Sequence, residues 1–324
     1  MDVLLNLLLF AVGLVILYFG AEGTLNGSVR IAEAFDVSKL VIGLTLVAYG
    51  TSAPELTLDV TAALRGSTDL AFGDLIGSNI ANIGLILAIG ALIRPLQVEM
   101  KLLSAEVPIM IATAVLTWSL AADGVLDRGD GLMLLACLVL VVGYSFRSIT
   151  QESAAVKADF EEAGRSKVGL TSSAVLVACG LVGLVIGAQL MVTGATSIAR
   201  TLGISELLIG MTIVAVGTSL PELAATIVAA RKGEADIAVG NVIGSNIFNL
   251  LGVMGCVATI AEVPVAKSSL AFELPFVAGL SLLLVPVMIR GRRVTRGEGV
   301  FLLSLYVVFL VAQVFLHGTP AAHP

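Results

Sequence analysis

Charge is scarce in this chain: only 13% of its 324 residues are Asp, Glu, Lys or Arg, against ~25% in an average soluble domain. With 57% apolar residues beside them, too few charges remain to keep the surface of a soluble fold wetted. A water-soluble protein of this size is therefore excluded. Basic blocks are missing too, and aromatics, at 5%, do not interleave with Lys or Arg, so no nucleic-acid partner is implied. The two histidines, His317 and His323, sit in the C-terminal tail. No nucleophile–base pair is thus available at membrane depth, which argues against an intramembrane enzyme. Cys137, Cys179 and Cys256 each stand alone in an apolar run, a spacing that makes neither a disulfide framework nor a zinc site.

Long apolar runs are what the chain does have. At ~20 residues per span, about ten transmembrane helices fill the length, giving an all-α integral membrane protein. The N-terminal Met1-Asp2-Val3-Leu4-Leu5 lacks the basic n-region and cleavage site of a signal peptide and reads as the start of a retained first helix. Spans are expected at Val3–Ala34, Leu40–Leu64, Leu70–Ile93, Leu102–Ala121, Gly131–Phe146, Val168–Ala199, Leu207–Ala230, Ile237–Ala261, Leu270–Ile289 and Val300–Leu316. The polar stretch Arg147–Lys167 has both signs of charge and little apolar periodicity. It reads as a cytoplasmic linker over 151–167, between a first unit (1–150) and a second (168–324). With the N-terminus outside, 14 of the 18 Lys and Arg fall on one side of the membrane. The positive-inside rule then puts both termini outside the cell membrane.

The two units are copies. Residues 43–84 align without a gap to 210–251, with 22 identities in 42 pairs at a constant offset of 167. Gly50-Thr51-Ser52-Ala53-Pro54-Glu55 matches Gly217-Thr218-Ser219-Leu220-Pro221-Glu222, and Gly77-Ser78-Asn79-Ile80-Ala81-Asn82 matches Gly244-Ser245-Asn246-Ile247-Phe248-Asn249. Five helices separate the copies, so they must enter the membrane from opposite sides. Inverted repeats of this kind mark secondary transporters, with the site at the repeat interface near the midplane.

Glu55 and Glu222 fall mid-span, where a carboxylate is costly unless it is paired or faces water. No Lys, Arg or His lies at comparable depth, so a bound cation is the expected partner. Pro54 and Pro221 remove a backbone donor and crowd the carbonyls of Gly50 and Gly217. Helices two and seven should therefore break at Gly-Thr-Ser, freeing carbonyls around Ala48–Thr51 and Ala215–Thr218. The C-terminal end of each half-helix carries partial negative charge that favours cations. Ser78 and Asn82, like Ser245 and Asn249, are four residues apart and share a helical face. The resulting donor set is all oxygen, as hard cations such as Ca²⁺ and Na⁺ require. Two Glu charges balance one Ca²⁺, while Na⁺ could use the same oxygens with the serine hydroxyls. Competition for shared ligands is a physical basis for antiport.

The paired motifs resemble the two α-repeats of the Ca²⁺/cation antiporter superfamily, specifically the sodium/calcium exchangers. That resemblance implies Ca²⁺ at Glu55 and Glu222 with the carbonyls of Thr51 and Thr218. It implies Na⁺ at Ser52, Ser78, Ser219 and Ser245 with the carbonyls of Ala48 and Ala215, and a central position between Asn82 and Asn249. It further implies electrogenic exchange, about three Na⁺ for one Ca²⁺, with the first and sixth helices sliding across a fixed core. Position 249 is Asn where archaeal exchangers of this type can carry Asp. No resident cofactor and no protein partner is implied; the partners are inorganic cations and the bilayer. H⁺/Ca²⁺ antiport is the nearest alternative, and a cation channel a more distant one.

Asp59 and Asp74 are extra carboxylates, opposite Thr226 and Asn241 in the second copy. Asp59 lies one turn, ~6 Å, beyond Glu55 on roughly the same face. Asp74 lies two turns from Asn82 on the Ser78–Asn82 face. With the orientation above, both belong to an acidic outer passage that concentrates cations.

Overall fold

Uniformly apolar helices with short connections leave few ways to fold in a bilayer, where every backbone group must be satisfied within its own segment. The computed structural model describes residues 3–163, 169–202 and 215–317, with 146–163, 215 and 314–317 as backbone only. It is almost entirely helical. Helix α1 (Val3–Phe35) is followed by α2 (Lys39–Thr51) and α3 (Ala53–Leu64), then α4 (Thr68–Ile93), α5 (Leu102–Asp123) and α6 (Arg128–Ala163). The second half comprises α7 (Leu170–Thr201), α8 (Ala215–Thr218), α9 (Leu220–Lys232), α10 (Ala235–Ile260), α11 (Lys267–Ile289) and α12 (Arg296–His317).

Among the described residues, eight of these helices are long and apolar enough to cross a membrane, and the bent pair α2–α3 makes a ninth. The expected seventh span falls partly outside the described residues: α9 supplies its second half, and Leu207–Val214 is not described. His323 and the end of the expected linker also lie outside them.

One helix end needs correction. The fifth helix was expected to end with its apolar span at Phe146, and α6 stays helical past that span to Ala163. Its continuation, Gln151 to Ala163, contains good helix formers (Gln, Glu, Ala, Lys) and neither Gly nor Pro, so helix propensity carries it on after the apolar run has ended.

Two short strand pairs tie the copies together. Leu96–Gln97 pairs antiparallel with Arg293–Val294, and Val125–Leu126 with Val263–Pro264. Alternating topology places the two partners of each pair on the same membrane face, one pair on each. The long helices α1 and α7 lie side by side and antiparallel: ideal Cβ positions at Gly13, Gly20 and Gly27 meet α7 near Gly187, Gly180 and Ser173 respectively. At the far end Asn6 Nδ2 donates to Ser197 Oγ at 2.8 Å. Small residues permit this backbone-to-backbone approach, the usual means of helix association in lipid. Ion pairs lie at one end of the bundle, Lys39–Glu234 at 2.8 Å and Lys232–Glu22 at 2.7 Å. Both are partly solvated and so contribute little; the second joins α1 to α9.

Candidate cation-binding site

The breaks occur where the two prolines place them. Pro54 and Pro221 both stand in the first turn of the second half-helix, and the chain turns at Ser52 (φ −83°, ψ 7°) and Ser219 (φ −88°, ψ 6°). Near-identical dihedrals show that the repeat extends from sequence into backbone geometry. In the first copy the two half-helices meet at 44°. Glu55 and Glu222 follow three residues after each break, and each is only 1% exposed.

A second distortion frames the site. Helix α4 opens into a π-turn at Asn82–Leu87 and α10 into one at Asn249–Val253. Each begins at the asparagine that ends its Gly-Ser-Asn motif. Such π-turns displace backbone groups from the regular ladder and cluster at functional positions.

Hydrogen bonds across the repeat interface assemble the candidate residues. Ser52 Oγ donates to Glu222 Oε1 at 2.8 Å, and Thr51 Oγ1 to Asn241 Oδ1 at 3.2 Å. Thr218 Oγ1 donates to Asp74 Oδ1 at 3.2 Å, and Asn82 Nδ2 to Asn246 Oδ1 at 3.2 Å. Asn249 Nδ2 donates to Ser78 Oγ at 3.4 Å, and Ser245 Oγ to the Ala48 carbonyl at 3.4 Å. Every one of these bonds joins one copy to the other. The expected ligands Thr51, Ser52, Ser78, Asn82, Thr218, Ser245 and Asn249 thus lie with Glu55 and Glu222 at the repeat interface. Ala215 is described by its backbone alone.

Oxygen atoms without partners mark where charge is wanted. Both carboxylate oxygens of Glu55, Oε2 of Glu222, the Ser219 hydroxyl and the amide oxygens of Asn82 and Asn249 are buried with no hydrogen-bond partner. Burying an unpaired carboxylate costs several kcal/mol, and a hard cation bound to these oxygens would offset that cost. Among the described residues no three of His, Cys, Asp and Glu converge on one point. A cation here would therefore be completed by carbonyl, hydroxyl and amide oxygens, as in other sites for hard cations.

The two halves are not equivalent. Ser52 bonds Glu222, but its counterpart Ser219 has no partner, and neither has Glu55. Near-identical motifs in unlike arrangements are what one state of an alternating-access cycle requires of an inverted repeat.

Sequence reasoning passed over several members of this cluster. Asn246 lies within a quoted motif but was assigned no role, although it anchors Asn82. Thr226 and Asn241 stood only as neutral counterparts of Asp59 and Asp74; they are bonded to each other, Asn241 Nδ2 to Thr226 Oγ1 at 3.1 Å. Their place in the 42-residue repeat was the available signal.

Known proteins share both the sequence and this architecture. The family model described as sodium/calcium exchanger protein matches residues 5–147 and 172–315. A sodium/calcium exchanger, MaX1, of Methanosarcina acetivorans is 34% identical over 349 residues, covering 96% of this chain and 99% of its own. A putative antiporter, CaxA, of Alkalimonas amylolytica is 38% identical over 304 residues, covering 91% and 94%. A solved structure of the sodium-calcium exchanger NCX_Mj superposes with a TM-score of 0.83 at 32% identity, over 96% of this chain and 99% of its own.

Proposed function

Since the chain belongs to the sodium/calcium exchanger protein family, we propose that it exchanges Na⁺ for Ca²⁺ by alternating access, with net movement of charge. The observation that carries this reading is the pair of buried glutamates, one per repeat, with unpartnered oxygens and, among the described residues, no basic side chain in the surrounding hydrogen-bond network. Ca²⁺ would take Glu55 and Glu222 with the carbonyls of Thr51 and Thr218. Na⁺ would take Ser52, Ser78, Ser219 and Ser245 with the carbonyls of Ala48 and Ala215, and Asn82 and Asn249 would fill the centre. The Lys and Arg distribution supports a cell-membrane location with both termini outside and the 151–167 segment in the cytoplasm.

Ca²⁺ uptake into Na⁺-loaded proteoliposomes tests the reading. Uptake should follow the outward Na⁺ gradient and be unaffected by a pH gradient of equal size. If more than two Na⁺ move per Ca²⁺, each turnover carries charge, and potential contributes ~2.3 kcal/mol per charge per 100 mV. Uptake should then rise severalfold when valinomycin and K⁺ clamp the interior 60 mV more positive, the direction that drives Na⁺ out. Uptake indifferent to voltage would show a neutral stoichiometry. Uptake driven by the pH gradient alone would establish H⁺/Ca²⁺ antiport instead.

A further inference from the structure

Two further carboxylates of the first repeat stand beside Glu55 and Glu222: Asp59, which is buried, and Asp74, which is half-buried. Asp59 is 0% exposed, and neither of its carboxylate oxygens has a hydrogen-bond partner. Asp74 of the next helix and Glu55 on its own helix lie in electrostatic range of it. Asp74 Oδ1 accepts from Thr218, and its Oδ2 is buried without a partner. Glu55 lies in electrostatic range of Asp59, Asp74 and Glu222.

The second copy shows what these positions do when no ligand is needed. There Asn241 Nδ2 donates to Thr226 Oγ1 at 3.1 Å and to the Glu222 carbonyl at 3.2 Å, a closed neutral arrangement. The first copy replaces that donor–acceptor pair with two acceptors, Asp59 and Asp74, which cannot bond each other as ions. Three oxygens of the two carboxyls are thereby buried and unsatisfied, a heavy cost unless opposite charge is bound. Charge counting gives the valence. Glu55 and Glu222 balance one divalent ion, and Asp59 with Asp74, on giving up their protons to a bound cation, would balance another.

We propose that Asp59 and Asp74 form a second binding site for a hard divalent cation, Ca²⁺, one helical turn from the Glu55–Glu222 site and present in the first repeat only. This rests on the exchanger reading for the central site and adds a position beside it, where Ca²⁺ waits before or after the central site is filled. The outboard Ca²⁺ is held more weakly, because a cation already at Glu55 repels it across ~6 Å.

Equilibrium Ca²⁺ titration of the full-length purified protein, by ⁴⁵Ca²⁺ binding without Na⁺, tests it. The unmodified chain should bind two Ca²⁺ in a stronger and a weaker step. The variant Asp59→Thr with Asp74→Asn installs the pair that the second repeat already accommodates, so the fold has a precedent for it; it should bind one Ca²⁺, at the stronger step. A single Ca²⁺ per unmodified chain, or a double variant that keeps two or loses both, would overturn the proposal. Should the variant fail to fold, Mn²⁺ titration of the unmodified protein decides. Two ions a helical turn apart broaden each other's paramagnetic resonance signal; one isolated ion does not, and that result overturns the site. Proteoliposome exchange separates the two readings: exchange that fails while two Ca²⁺ still bind rejects the transport reading alone, and exchange that persists with one Ca²⁺ per chain rejects this site alone.

Discussion

Glu55→Gln or Glu222→Gln is expected to lower Na⁺-driven Ca²⁺ uptake at least 100-fold. Removing one partner of a buried, charge-balanced site typically costs ~3–5 kcal/mol, and each 1.4 kcal/mol is tenfold. One remaining carboxylate cannot offset the dehydration of a divalent ion. The two variants should differ in stability without Ca²⁺. Glu55 has no hydrogen-bond partner at either oxygen, so replacing it removes a buried, unsatisfied acid from beside other carboxyls, and the ion-free protein should melt higher. Glu222 accepts from Ser52, a bond to a charged group that glutamine weakens, so Glu222→Gln should gain less. In both variants the rise in melting temperature that Ca²⁺ gives the unmodified protein, through mass action on the folded state, should vanish. Near-normal ⁴⁵Ca²⁺ flux in either single variant would remove these carboxylates from the transport site.

Much of this was legible because the repeat states it twice. A proline two residues past Gly-Thr-Ser dictates a broken helix in either copy, and the chain turns at Ser52 and Ser219 as that rule requires. Hydropathy located the nine spans found among the described residues, because the bilayer fixes their length. It misplaced the end of α6, where the apolar run stops at Phe146 and the helix continues to Ala163. An apolar run reports the membrane, whereas helix propensity reports the backbone, and the two part company at the interface. The π-turns starting at Asn82 and Asn249 have no signature in periodicity, since an extra residue in one turn shifts the helical face without interrupting it. Nor could the sequence show that Ser52 bonds Glu222 while Ser219 leaves Glu55 alone. Near-identical motifs encode both arrangements, and only one conformation selects between them.

The glycines of α1 and α7 were legible and went unread. Gly13, Gly20 and Gly27 recur every seven residues, as do Gly180, Gly187 and Gly194, a spacing that keeps one narrow stripe along a helix. The contacts show what the stripe is for. A Cβ on Gly20 would lie 2.7 Å from the Leu184 amide nitrogen, and one on Gly180 would lie 2.5 Å from that of Thr24. One on Gly187 would lie 2.6 Å from the Leu17 nitrogen. These are backbone atoms, which no rotamer change can move aside. Gly23, three residues from Gly20, meets nothing nearer than 3.5 Å. Overpacking costs ~1–3 kcal/mol per site and more where relaxation is blocked, and about 1 kcal/mol is roughly 2–4 °C of melting temperature in a chain of ~200 residues. Gly180→Val with Gly187→Val should therefore lower the midpoint by at least ~5 °C and force α1 from α7. Gly20→Ala should be destabilising, and Gly23→Ala neutral or slightly stabilising, since alanine is the better helix former. Equal shifts for Gly20→Ala and Gly23→Ala, measured on the detergent-purified protein, would show that the close approach contributes nothing. The same geometry bears on transport. Helices in backbone contact along their length, and tied by Asn6 to Ser197, can move against the binding core only as one body. In a background lacking the native cysteines, a disulfide joining positions 6 and 197 should leave Na⁺/Ca²⁺ exchange within about twofold of normal, set against the ≥100-fold losses expected from the buried pair above. A reducible dithiol cross-linker joining cysteines at positions 22 and 232, where the long Lys232 side chain reaches Glu22 across to α9, should arrest exchange until it is reduced. Arrest by the disulfide and tolerance of the cross-linker would mean that α1 and α7 move past each other rather than together.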